Sequence, residues 1–147
     1  MFAHNLVCRY LIEMSDNSEK KVTTAVSRRI LVIEDNSDSA EVLQTFLEIN
    51  GHEIIVKTNA AEGLASAQAA VPDVIICDIS LSGELDGYDV AEEIRSRAEL
   101  QSIFLIALSG FGRPEDKEKS KSAGFNEHLT KPTDFDALID LINNYDR

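Results

Sequence analysis

The chain has 147 residues but only two cysteines, which excludes a disulfide-stabilised scaffold. Cys8 and Cys77 can form one bridge at most, whereas small secreted domains depend on several. Cys77 stands inside an apolar run, where a buried free thiol is the ordinary state. The cysteine content therefore predicts a reducing compartment, and we expect the cytoplasm.

Long apolar runs and basic charge are also scarce. No apolar run reaches the roughly 18 residues that a membrane-spanning helix needs, so we expect no membrane insertion. The chain carries 14 basic and 26 acidic side chains, a formal net charge of −12. Because such a surface cannot neutralise a row of phosphates, the charge balance argues against nucleic acid as a partner.

The charge is distributed unevenly, and this divides the chain. Residues 1–29 hold five basic and three acidic side chains, whereas residues 30–147 have a net charge of −14. Residues 15–27 are polar without a clear period, which is typical of a linker. Arg9 interrupts the apolar stretch before them, so it is a poor signal peptide, and Met14 is an alternative start. We predict a flexible arm over residues 1–28 and one domain over residues 29–147.

Short apolar runs alternate with helical patterns throughout this domain. Ile-Leu-Val-Ile at 30–33 is typical of a strand buried on both faces, and the apolar residues after it recur at helical spacing. This alternation predicts an α/β domain with a parallel sheet and helices on both faces. No glycine-rich loop follows the first strand, which excludes an ordinary nucleotide-binding α/β domain. The predicted strands lie at 30–33, 53–58, 74–77, 103–108 and within 124–129.

Three carboxylates stand at the ends of two predicted strands. Glu34 and Asp35 follow the first strand, and Asp78 follows the third. If these strands are neighbours, the three side chains converge at the sheet edge where such folds bind ligands. A hard divalent cation such as Mg²⁺ relieves their repulsion. The alternative is that each acid caps a helix or is solvated in a loop.

Two further polar residues end the later strands. Ser109 follows the fourth strand, where its hydroxyl can donate to a phosphoryl oxygen. Lys131 follows the fifth, where its ammonium can pair with Asp78 or with a phosphoryl group on it. The Lys131–Pro132 bond is a candidate for the cis form, which would direct the lysine. The alternatives are a turn serine and a solvated lysine.

Taken together and in this order, the motifs resemble the receiver (CheY-like) domain of two-component response regulators. The resemblance covers residues 29–147 and implies a single doubly wound (βα)5 flavodoxin-like domain with strand order 2-1-3-4-5. The motifs are Ile-Leu-Val-Ile-Glu-Asp-Asn at 30–36, Asp-Val-Ile-Ile-Cys-Asp-Ile-Ser-Leu-Ser-Gly at 73–83, Asp-Gly-Tyr at 86–88, Ile-Ala-Leu-Ser-Gly at 106–110 and Leu-Thr-Lys-Pro at 129–132.

The resemblance also implies a role for each strand-end residue. Asp78 would accept a phosphoryl group from a histidine kinase or a histidine phosphotransfer protein. Lys131 would pair with that group, and Ser109 would be the switch hydroxyl that moves onto it. No enzyme activity is implied beyond catalysis of the domain's own phosphoryl transfer and dephosphorylation. The implied ligands of Mg²⁺ or Mn²⁺ are Glu34, Asp35, Asp78 and the backbone carbonyl of Ser80.

The sequence departs from the family pattern at two places. After the phosphoacceptor it has Ser82 in place of a frequent proline and one extra residue, which predicts a longer and looser loop. His128 stands three residues before the motif lysine, where the family usually has an aromatic residue that changes rotamer. We predict that His128 is the switch rotamer, and the alternative is a solvated residue at a strand edge.

The function that the sequence predicts is a stand-alone receiver that switches partner binding when phosphorylated. The nearly all-charged helix at 114–122 belongs to the face of helix four, strand five and helix five where receivers commonly bind a downstream target. Its alternative is a merely solvated helix. Two other functions remain open. A haloacid-dehalogenase-like phosphotransfer enzyme would need a second aspartate where Ser80 stands, and a pseudo-receiver would bind partners without phosphorylation.

Overall fold

A computed structural model describes residues 26–145, and these form five strands and five α-helices in strict alternation. A 3₁₀ turn, Ala98–Leu100, precedes the fourth strand. The elements are β1 (Arg29–Ile33), α1 (Ser37–Ile49), β2 (Glu53–Lys57), α2 (Ala60–Ala70), β3 (Val74–Asp78), α3 (Gly87–Ser96), β4 (Phe104–Ser109), α4 (Pro114–Ala123), β5 (Glu127–Thr130) and α5 (Phe135–Asn144).

The strands form one parallel sheet in the order β2-β1-β3-β4-β5, which confirms the predicted fold. The direction of winding changes between β1 and β3, which are hydrogen-bonded neighbours with Ile33 opposite Cys77. Ligands of open α/β sheets bind where the winding direction changes, because the connections leave a crevice there. The carboxyl ends of β1 and β3 are therefore the place to look for a site.

The apolar residues of the strands divide between two core clusters, one on each face of the sheet. Leu31 and Ile33 belong to the cluster under α2 and α3, whereas Ile30 and Val32 belong to the cluster under α1 and α5. Successive residues of a strand point to opposite faces, so a strand covered on both faces must be apolar throughout. Cys77 is completely buried in the first cluster, and burial raises the pKa of its thiol.

Helix α4 differs from the other helices in how it is attached. Asn36, Asn59, Asp86 and Asp134 cap the N-termini of α1, α2, α3 and α5 with their side chains. Within the described residues, no side chain caps α4, which begins at Pro114. Of its ten residues, Ser120 and Ala123 are buried. The sheet therefore holds α4 through few apolar contacts.

Arg28, the last residue of the predicted arm, contacts the carboxyl-terminal end of the described chain. Arg28, expected at the end of the arm, is 7% exposed and its guanidinium lies over the ring of Tyr145. Its Nε also donates to the carbonyl of Ile142 at 3.1 Å. Arg28 thus packs as part of the domain. The rest of the predicted arm, residues 1–25, lies outside the described residues.

Candidate functional site

Glu34, Asp35 and Asp78 meet at the carboxyl ends of β1 and β3. Each offers a carboxylate oxygen, and these oxygens lie within 4.8 Å of one another. The pairing of Ile33 with Cys77 causes this convergence, because the next residue along each strand is an acid. Glu34 and Asp78 are buried, with 1% and 5% of their surface exposed. The structure thus places together the three acids that the sequence analysis identified.

Lys131 supplies positive charge to this cluster from the end of β5. Its Nζ donates to Asp78 Oδ2 at 3.0 Å and to Glu34 Oε2 at 3.2 Å. Its backbone N–H donates to the carbonyl of Ser109 at 2.7 Å, and the Lys131–Pro132 peptide bond is cis. The ammonium offsets one of three carboxylate charges, which leaves a site with a net charge of two negative units when all groups are ionised.

The ionisable groups of the cluster have different environments. Burial raises the pKa of Glu34, and the charge of Asp78 adds to this, against the lowering effect of the Asn36 N–H and of Lys131. The pKa of Asp35 is lowered, chiefly because the Ser82 N–H donates to its Oδ2 at 3.0 Å. Burial alone would lower the pKa of Lys131, but its bonds and charge pairing with the two acids outweigh this and raise it.

The donor set fits a hard divalent cation. All three side chains offer carboxylate oxygens, which are the ligands that Mg²⁺ and Mn²⁺ prefer in proteins. Asp35 is the least buried of the three, and its lowered pKa favours the charged form of this ligand. Ser80, the predicted carbonyl ligand, donates its backbone N–H to Asp78 Oδ1 at 3.0 Å and so lies beside the cluster.

The loop after Asp78 is bonded to the site at Ser82 as well as at Ser80. The Ser82 N–H is bonded to Asp35, so the start of the loop is held despite the extra residue. Gly83 has a φ of 113°, a conformation that favours glycine, and Leu85 is 40% exposed. The added length therefore projects a hydrophobic side chain into solvent, while the end next to the carboxylates stays anchored.

Ser109 ends β4 beside Asp78, but its hydroxyl is directed to its own loop. The register places Asp78 opposite Leu108, one residue before Ser109. The Ser109 side chain is buried, and its Oγ accepts the backbone N–H of Phe111 at 3.0 Å. The predicted switch hydroxyl thus lies on the strand next to that of Asp78 and is held by the loop that follows.

His128 lies outside the carboxylate cluster and bonds at both ring nitrogens. Its Nδ1 is 2.7 Å from Ser120 Oγ, and its Nε2 is 3.0 Å from the carbonyl oxygen of Phe111. Both ring nitrogens of this half-buried side chain are therefore within hydrogen-bond distance of protein atoms. The sequence analysis missed Ser120, which is 1% exposed within a charged helix. The sequence feature that could have identified Ser120 is a small side chain among long charged ones.

The comparisons with known proteins agree with this geometry. The family model described as "Response regulator receiver domain" matches residues 30–143. Protein PilH of Pseudomonas aeruginosa is 32% identical over 115 residues, which cover 78% of this chain and 94% of PilH. Among the described residues, the longest helices are too short or too polar to cross a membrane.

Two solved structures extend the comparison to the fold. A putative response regulator from Chloroflexus aurantiacus is 26% identical with a TM-score of 0.75, over 80% of this chain and 95% of the other. The receiver domain of a sensor histidine kinase from Pseudomonas aeruginosa, with a magnesium ion coordinated in its active-site cleft, is 28% identical with a TM-score of 0.72, over 80% and 95%. The predicted resemblance is confirmed over the folded domain, and this chain belongs to the family of response regulator receiver domains.

Proposed function

We propose that this protein is a stand-alone receiver that accepts a phosphoryl group on Asp78 from a histidine kinase or a histidine phosphotransfer protein. The observation that carries the proposal is the placement of the Asp78 carboxylate, with two acids within 4.8 Å and Lys131 Nζ at 3.0 Å. A carboxylate oxygen of Asp78 attacks phosphorus, and the phosphorus–nitrogen bond to the donor histidine breaks. The product is an acyl phosphate, which water later hydrolyses to restore Asp78.

A divalent cation, Mg²⁺ or Mn²⁺, fits the acidic cluster of this proposal. Glu34, Asp35, Asp78 and the carbonyl of Ser80 would hold it, and when bound it would neutralise charge on the phosphoryl oxygens. Support comes from the oxygen-only donor set and from the magnesium ion in the related sensor-kinase receiver.

Lys131 and Ser109 would contact the oxygens of the phosphoryl group. The Lys131 ammonium lies between Asp78 and Glu34, where it can move from a carboxylate to a phosphoryl oxygen without leaving the site. The Ser109 hydroxyl can donate to a phosphoryl oxygen if it leaves the Phe111 N–H. These two groups therefore couple the modification to β5 and to the loop after β4.

The partner of the phosphorylated form would bind the face made of α4, β5 and α5. This face contains the half-buried His128, and we propose that the ring changes rotamer when Ser109 moves. A stand-alone role is supported by PilH, because the matched segment fills 94% of that protein. Since histidine kinases use ATP, the proposal places the protein in the cytoplasm.

Phosphorylation with acetyl phosphate and Mg²⁺ tests the proposal. The parent should gain one phosphoryl group, seen by intact mass, and lose it on incubation, and it should gain none when the metal is left out. Asp78→Asn should gain none, whereas Asp140→Asn, an exposed aspartate of α5, should behave as the parent does. A parent that takes up no phosphoryl group would identify a phosphorylation-independent binding module instead. Equal labelling of Asp78→Asn and the parent would place the acceptor elsewhere.

A further inference from the structure

A continuous chain of hydrogen bonds runs from the Ser109 hydroxyl to the middle of α4. The Phe111 N–H donates to Ser109 Oγ at 3.0 Å, and the Phe111 carbonyl oxygen lies 3.0 Å from His128 Nε2. The other ring nitrogen, Nδ1, lies 2.7 Å from Ser120 Oγ. The backbone of Phe111 and one imidazole ring thus join a buried strand-end serine to a buried helix serine.

The chemistry of these groups fixes the direction of each bond. A carbonyl oxygen only accepts, so Nε2 of His128 carries the proton in the bond to Phe111. In the neutral ring, Nδ1 is then an acceptor, and the hydroxyl of Ser120 donates to it. The chain therefore selects one tautomer of His128, and it satisfies a serine hydroxyl that is 1% exposed.

Helix α4 has few other attachments that would replace this bond. Ser120 and Ala123 are its buried residues, and no side chain within the described residues caps its N-terminus. Lys119 Nζ lies 4.4 Å from the ring centroid of Tyr88, a contact at the surface with α3. Because α4 buries little apolar surface, one hydrogen bond at Ser120 is a large share of what fixes its position.

On the basis of the function proposed above, we propose that Ser120 and His128 are positioning residues that hold the Ser109 hydroxyl away from the phosphoryl group. When Ser109 donates to a phosphoryl oxygen, its Oγ leaves the Phe111 N–H. The backbone of Phe111 is then free to move, His128 loses its partner at Nε2, and the bond to Ser120 loosens. Phosphorylation at the sheet edge thereby releases α4.

Linkage makes the coupling reciprocal, because two sites that share an equilibrium affect each other equally. If bonding of the Ser109 hydroxyl to the phosphoryl group breaks the chain of hydrogen bonds, then breaking these bonds at the α4 end favours that bonding. Removal of the Ser120 hydroxyl should therefore tighten binding of a phosphoryl analogue at the sheet edge. A purely structural serine predicts the opposite or no effect.

Binding of beryllofluoride with Mg²⁺, measured by calorimetry on the full chain, tests this inference. Ser120→Ala should raise the affinity about 2- to 10-fold, the range that one neutral hydrogen bond is worth. Ser122→Ala, an exposed serine of the same helix, is the matched control and should match the parent. In a Ser109→Ala background, Ser120→Ala should have no effect, because the chain is already cut at its other end.

Two further variants and an NMR measurement test the same chain of hydrogen bonds independently. His128→Phe cuts the same chain without touching Ser120 and should also raise the affinity, whereas Ser120→Thr keeps a hydroxyl and should restore the parent value. Imidazole ¹⁵N shifts should show His128 protonated at Nε2 in the free protein and lose this signature with beryllofluoride.

Binding of beryllofluoride to the parent distinguishes a failure of the proposed function from a failure of the inference about Ser120 and His128. A parent that does not bind beryllofluoride overturns the proposed function and this inference with it. A parent that binds, with Ser120→Ala unchanged or with an equal effect in the Ser109→Ala background, overturns the hydrogen-bonded chain alone.

Discussion

At the scale of single residues, the charge balance of the site depends on Lys131. Glu34 and Asp78 are buried acids in one small cluster, and the ammonium of Lys131 bonds to both. Two buried like charges repel each other unless a cation lies between them. Lys131 is therefore a stabilising residue of the unphosphorylated protein as well as a candidate contact of the phosphoryl group.

Lys131→Ala should lower the free energy of unfolding in metal-free buffer by about 1–3 kcal/mol. This is less than the loss for a fully buried pair, because a solvent-accessible ammonium is partly screened. Mg²⁺ should reduce the deficit, since the cation replaces the lost charge. Urea unfolding with and without Mg²⁺ measures both effects, with Lys121→Ala on exposed α4 as the control. A Lys131→Ala variant as stable as the control would contradict this role.

His52 is a second residue whose environment affects stability. It is 5% exposed, and its Nδ1 accepts the Arg28 N–H at 3.1 Å. Its buried Nε2 has no hydrogen-bond partner among the residues that the structure describes. Burial, and to a lesser extent the charge of Arg28, lowers the pKa of this ring. The folded protein therefore resists protonation of His52 more than the unfolded chain does.

Stability should consequently decrease as the pH is lowered, and this decrease should be smaller in His52→Asn. Below about pH 6.5, the imidazole binds a proton in the unfolded chain but stays neutral in the folded protein, because its pKa is lower there. The stability that is present above that pH is therefore lost as the pH falls toward the pKa of the folded state. Asparagine keeps an acceptor for the Arg28 N–H and does not titrate. Urea unfolding at about pH 7.5 and 5.5 should show a larger loss for the parent than for His52→Asn. Equal losses would show that His52 does not contribute.

At the scale of elements, helix α3 packs closely against the end of β3, where Asp78 lies. Its first residue, Gly87, lies so close to β3 that an added Cβ would be 2.5 Å from the carbonyl oxygen of Asp78 and 2.7 Å from Cα of Ile79. Both neighbours are backbone atoms, which cannot rotate away. The capping box of Asp86 and Asp89 fixes where the helix begins. The close approach and the cap together explain why the sequence has Asp-Gly here.

Gly87→Ala should therefore destabilise the fold by about 1–3 kcal/mol, the usual cost of overpacking. It should also slow labelling of Asp78 by acetyl phosphate, because the strand end must shift. Gly110→Ala is the matched control, since no atom lies within 4 Å of a Cβ added there. Thermal unfolding and labelling rates measure the two effects, and a Gly87→Ala variant indistinguishable from Gly110→Ala would contradict the steric explanation.

At the scale of the whole molecule, the acidic balance makes cation binding a factor in stability. The net charge of the chain is −12, and the site adds local repulsion to that of the surface. A cation that binds the folded state alone stabilises it by mass action, by about 1.4 kcal/mol at ten times its dissociation constant. Removal of the metal then lowers stability across the domain, because the sheet unfolds as one unit.

The midpoint of thermal unfolding should accordingly rise with Mg²⁺ concentration, and Asp35→Asn should abolish most of the rise. Asn keeps an oxygen for the Ser82 N–H, so the loop stays anchored while one ligand charge is lost. Asp140→Asn, which removes the same charge from the exposed surface, should respond to Mg²⁺ as the parent does. If all three proteins gain equally, Mg²⁺ acts through general screening and not through this cluster.

The sequence by itself determined the local structure and the chemistry at the strand ends. Continuous apolar runs predicted β1 to β4, as expected of strands that are covered on both faces. The cap residues predicted where helices begin. The acids after β1 and β3, with Ser109 and Lys131, were visible as polar residues directly after apolar runs. Each of these signals is local, so a single stretch of chain contains it.

The tertiary structure alone decided which of these residues meet. Alternation of strands and helices predicts a parallel sheet but not its order, which the family resemblance supplied and the pairing of β1 with β3 confirmed. The bonds from Ser120 to His128 and from Ser82 to Asp35 join residues of different elements. No local pattern encodes such pairs, because they depend on how the elements pack, and packing is a property of the whole chain.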